Sequence, residues 1–229
     1  MSSSVVDAPP AQGAKPRFRG RLHQGSFVLA MAAGASMITA TVTTSRSALT
    51  ITSVAVYVAT VLGLFGISAL YHRYPWRSDT ARTRIRRLDH SMIFVFIAGT
   101  YSPVSAIALH GATRTWVLAV IWIGALFGVA LQLVWPGAPR WVGVPIYLAL
   151  GWVAVFVLPD LLAHAGVTGL VLLLAGGLLY TLGAVCYATK WPDPWPATFG
   201  FHEFFHAATV LAALCHYVAI WLLLASPLR

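Results

Sequence analysis

His202 and His206 stand four residues apart in FGFHEFFHAATVLAALCHYVAIW, a spacing that puts both imidazoles on one face of a helix. Two imidazoles one turn apart supply half of a metal site, and ionisable groups inside a membrane-length apolar segment are costly enough to point to function. Three neutral imidazoles plus a solvent position make an open zinc site, in which the ion lowers the pKa of bound water to about 7. His72, in SALYHR, offers the third imidazole. Asp89, in RRLDHS, is suited either to hold and deprotonate the water or to act as a fourth ligand. Ser68 lies four residues before His72 and shares its helix face, where its hydroxyl can steady the water, a carbonyl oxygen or the ring.

The elements that must position these groups are membrane helices. The chain is 59% hydrophobic and 9% charged over 229 residues, with a mean hydropathy of +0.77, too apolar to present a water-soluble surface. Apolar segments run over about 24–44, 49–71, 88–109, 115–135, 141–158, 166–188 and 199–225, each near the length needed to cross a bilayer. The expected fold is therefore an all-α bundle of seven transmembrane helices forming one domain over 24–229. Residues 1–23 are expected to be a disordered basic tail. The first span, rich in Ala, Gly and Thr, is read as a retained helix because no small-x-small cleavage site closes it.

Loop charge orients the seven spans. With a cytoplasmic N-terminus, inside segments hold twelve of the fifteen Lys and Arg residues, leaving Arg46, Arg114 and Arg229 outside. That split places the N-terminus in the cytoplasm and the C-terminus outside. The second span then ends, and the third and seventh begin, on the cytoplasmic side, which brings His72, Asp89, His202 and His206 into one leaflet. The net charge of +9 follows from topology rather than from nucleic-acid binding, since no nucleic-acid fold surrounds the basic residues.

Other groups rank lower. His90 projects about 100° around the helix from Asp89 and is assigned a packing or supporting place, and Glu203, similarly turned from His202, is read as a charge against the basic rim. His216 stands about 15 Å along the axis from His206, His110 and His164 fall near the outer face, and His23 precedes the first span. Cys186 and Cys215 lie in apolar segments without metal spacing and read as small core residues. Gly124 and Gly128 have a GxxxG spacing that suits close helix contact. The RTRIRR run at 82–87 reads as a topology anchor.

The segments SALYHR, RRLDHSMIFVFIAGTYSP and KWPDPWPATFGFHEFFHAATVLAALCHY resemble the signature stretches of the hemolysin III family, within the progestin and adipoQ receptor group that includes the adiponectin receptors and is similar to alkaline ceramidases. The resemblance implies a seven-helix fold and a zinc ion near the cytoplasmic leaflet. Its ligands would be His72, His202 and His206, with Ser68 and Asp89 at the remaining motif positions. It also implies a multi-pass protein of a bacterial inner membrane.

Two functions are expected from these residues. The first is a zinc-dependent intramembrane hydrolase of a lipid amide or ester, with Asp89 as base, Ser68 as a second catalytic candidate and membrane lipids as partners. The second is a non-enzymatic sensor whose zinc staples the second and seventh spans together. A membrane-perturbing haemolysin is the reading that the family name suggests, but no span carries a repeated polar stripe.

Overall fold

The computed structural model describes residues 16–226 apart from 45, 136 and 137. The helices are α1 (Arg21–Thr43), α2 (Ala48–Arg73), α3 (Asp79–Ala108), α4 (Gly111–Val134), α5 (Arg140–Gly151), a 3₁₀ segment Trp152–Val157, α6 (Leu158–Thr189) and α7 (Phe201–Ala225). Their ends follow local chemistry. The Ser47 hydroxyl accepts from the Thr50 N–H at 3.2 Å to start α2, and Ser78 does the same for the Ala81 N–H at 3.3 Å to start α3. Tyr74, which precedes Pro75, turns extended and ends α2 just beyond His72.

Among the described residues, six helical stretches are long and apolar enough to cross a membrane: α1, α2, α3, α4, the continuous stretch Arg140–Thr189, and α7. The all-α bundle expected from sequence is thus present, but its count of seven spans is corrected to six. The segments expected as a fifth and a sixth span belong to one helical stretch of 50 residues. The break expected between them falls in the first turns of α6, which starts at Leu158 with Pro159 in its first turn, where the missing N–H leaves no hydrogen bond unmade. Within this stretch the backbone departs from helical geometry at Gly166, with φ 66° and ψ −179°. The cytoplasmic N-terminus and outside C-terminus were fixed by the count of seven and are withdrawn with it. Of the tail expected over 1–23, residues 1–15 lie outside the described residues, and α1 begins at Arg21.

Apolar side chains both fill the bundle and cover it. Val54, Phe94, Ile121 and Ile220 are buried, whereas Ile123, Leu126, Phe127 and Phe156 are at least 60% exposed, an outer surface suited to hydrocarbon. Glycines let helices close on one another. Gly99 of α3 admits Thr60 of α2, and Gly128 of α4 admits the Phe94 ring of α3, each so closely that a methyl group would collide.

The 3₁₀ segment is held from α3. The Tyr101 hydroxyl donates to the Gly151 carbonyl at 2.8 Å and accepts from the Ala154 N–H at 2.7 Å, satisfying backbone groups freed where α5 changes its winding. Trp152 meanwhile donates from Nε1 to Thr181 Oγ1 at 3.0 Å. These bonds keep the wall formed by α5, the 3₁₀ segment and α6 in place opposite α3.

Candidate metal centre

Two helix termini and one early helical turn meet at one end of the bundle. His72 lies in the last turn of α2, Asp89 in the first half of α3, and His202 and His206 in the first two turns of α7. The segment leading into α1 pairs with the one leading into α7: the Arg17 and Phe18 N–H groups donate to the Ala197 and Thr198 carbonyls at 3.0 and 3.2 Å. Arg19 pairs through Nε with Glu203 Oε1, while Glu203 Oε2 accepts the Gly200 N–H at 2.9 Å at the entrance to α7. Glu203 is therefore a buried partner of the basic segment, a deeper place than the rim expected for it.

His72, His202 and His206 each offer a ring nitrogen such that the three atoms lie within 4.8 Å of one another. The Nε2 atoms of His72 and His202 are 3.3 Å apart. Ligands at the usual zinc–nitrogen distance of 2.0–2.1 Å in tetrahedral geometry stand about 3.3 Å from one another, so this pair fits a common ion. Asp89 Oδ2 lies 3.9 Å from His72 Nε2, and the carboxylate is outside the mutually close group of three. Ser68, 2% exposed, directs its hydroxyl to the Asp89 carboxylate. The sequence-derived set of Ser68, His72, Asp89, His202 and His206 is thus brought together in one place.

One member escaped the sequence reading. His23 of α1 is buried, and its ring stacks on His206 with centroids 3.8 Å apart and planes at 25°. Its position one residue ahead of the expected first span concealed it, although the basic flank Arg17–Arg21 gave a signal that the helix begins earlier. His90 faces the same cavity beside Gln132, in keeping with a supporting place. His216 Nε2 is instead engaged by the Leu173 carbonyl at 3.1 Å, and His110 and His164 pair with each other, ring centroids 5.1 Å apart.

His202 and His206 of the cluster line a cavity of about 210 Å³ between α3, α5, α6 and α7. Asp89, Ser68, His202 and His206 line one part, and Phe96, Ile97, Trp152 and Gly177 line another. A polar, metal-competent end thereby adjoins an apolar recess large enough for part of an acyl chain.

A multi-pass helical bundle with a buried three-histidine cluster capable of coordinating a metal ion defines the class. The family described as Haemolysin-III related matches residues 11–217, and the chain belongs to that family. It is similar to the Hemolysin-3 homolog of Bacillus subtilis (strain 168), 31% identical over 63% of this chain and 67% of that protein. Hemolysin-3 of Bacillus cereus is 35% identical over 44% of this chain and 46% of that protein, so that match spans less than half of its length. The Heptahelical transmembrane protein ADIPOR2 of Oryza sativa subsp. japonica is 30% identical over 74% of this chain and 80% of its own length. The resemblance read from three motifs therefore extends across the chain.

Proposed function

We propose that this protein is a zinc-dependent intramembrane hydrolase that cleaves a lipid amide or ester. The observation that carries the reading is that His202 and His206 of the three-histidine cluster, with Asp89 alongside, line a cavity that is polar at one end and apolar beyond. The donor set of three imidazoles suits zinc above the hard, oxygen-seeking cations. When bound, such an ion supplies Lewis acidity and a nucleophilic water at neutral pH.

The protein's own groups do the rest. Asp89 accepts the proton of the attacking water, and Ser68 fixes the carboxylate for that task. The water oxygen bonds to the acyl carbon as the bond from that carbon to nitrogen or oxygen breaks, and Asp89 returns the proton to the departing atom. The products are a fatty acid and an amine or alcohol. His23 and Phe205 pack against His206, which keeps its ring oriented and the site dry. A bacterial inner membrane is part of the same proposal, and the six apolar stretches support a multi-pass place in a lipid membrane.

The test is incubation of purified, metal-loaded protein with ceramides, acyl amides and acyl esters, with fatty acid release read by mass spectrometry. Release by the natural protein and its loss in Asp89→Asn is the expected outcome. No release from any of these lipids by protein carrying one zinc per chain would defeat the reading.

A further inference from the structure

Arg140 stands at the start of α5 and lines the same cavity as Asp89 and His202. Its guanidinium is held in place from three directions. It donates to the Tyr187 carbonyl at 2.8 Å, stacks over the Tyr187 ring at 4.2 Å and faces the Phe201 ring at 5.5 Å. Tyr187 in turn lies edge-on to His202, ring centroids 5.6 Å apart. The cation is thus fixed one aromatic ring away from the metal-competent cluster.

It has no anion. Among the described residues no carboxylate pairs with it, and the acids nearest this end of the bundle are engaged elsewhere. Glu203 pairs with Arg19, Asp193 accepts the Phe201 N–H at 3.1 Å, and Asp89 faces Ser68 and His72. Arg86, exposed on α3, adds a second cation to the cavity lining. The bond to Tyr187 caps a carbonyl at the end of α6 and accounts for one of five N–H donors. The remaining donors form a planar fork whose natural partner is a carboxylate or phosphate.

We propose that the lipid taken by this cavity carries an anionic group on the polar side of its amide or ester, and that Arg140 receives that anion while the apolar recess takes the acyl chain. This rests on the hydrolase reading for the place of the acyl linkage. Arg140 is then a specificity-determining residue, with Arg86 drawing the anion toward the mouth.

Binding of N-dodecanoylglycine and of N-dodecanoylethanolamine, which share chain and amide but differ in charge, tests it by calorimetry in an uncharged maltoside detergent. The natural protein should bind the acylglycine about tenfold more tightly. Arg140→Gln should bring the two affinities together, Arg140→Lys should keep part of the preference, and Arg86→Gln should reduce it less. The preference should persist in the natural protein stripped of divalent ions by a chelator, which shows that the carboxylate is not read by a metal. Equal affinities in the natural protein, an unchanged preference in Arg140→Gln, or loss of preference in the chelator-treated protein would each overturn the proposal. N-acetylglycine competing as well as the long-chain compound would overturn the lipid part of it. Fatty acid release is scored separately with the same compounds. Preference without release counts against hydrolysis alone, and release without preference counts against this proposal alone.

Discussion

His23 and His206 stack face to face, ring centroids 3.8 Å apart, although 183 positions separate them in the chain. The contact joins α1 to the metal-competent face of α7 and buries both rings. His23→Ala should leave a void against His206 and lower metal affinity about tenfold, the scale of loss seen when the groups supporting a ligand are removed. His23→Phe, which keeps the ring, should retain most of that affinity. Competition with a chromogenic chelator measures both, and an unchanged affinity in His23→Ala would show that the stack does not orient His206.

Gly20 ties the same helix to His72. Its φ of 76° is left-handed, and an added Cβ would lie 2.6 Å from the Cβ of His72. Gly20→Ala should cost about 1–2 kcal/mol from backbone conformation alone and displace His72 as well. A lowered thermal midpoint that zinc no longer raises is the expected result; full stabilisation by zinc would place His72 beyond the reach of this contact.

The Arg19–Glu203 pair is a third link between α1 and α7, with Glu203 only 2% exposed at its side chain and Arg19 at 22%. Removing Arg19 alone strands a buried carboxylate, and Arg19→Met should destabilise the protein by about 3 kcal/mol. Arg19→Met combined with Glu203→Gln should recover much of that loss. A double variant no more stable than Arg19→Met in thermal unfolding would mean that the buried charge is not what makes the single change costly.

Much of the site could be read from the chain because its parts obey short-range rules. An i,i+4 pair of histidines must share a helix face, and a serine four residues before His72 must share another. The misses were long-range or fell at element ends. The apolar runs 141–158 and 166–188 read as separate spans in the sequence, whereas helical winding through 159–165 joins them in one stretch. His23 fell one residue outside an expected boundary, and its partner lies on the last helix. Arg140 was counted only as loop charge, because its place over Tyr187 depends on how α5 meets α6.

Asp89→Asn separates holding a metal from using it. The carboxylate lies outside the mutually close group of three imidazoles, so the variant should keep a bound ion while losing turnover by about 10²-fold or more. Metal content and fatty acid release measured on the same preparation check this. Loss of the ion along with turnover would make Asp89 a ligand.

Metal analysis of the purified protein beside His202→Ala/His206→Ala is the most direct test of a divalent ion held between α2 and α7. The result expected is about one zinc per chain in the natural protein and less than about a tenth of that in the variant, with both preparations folded by circular dichroism. Equal metal in the two would contradict the site.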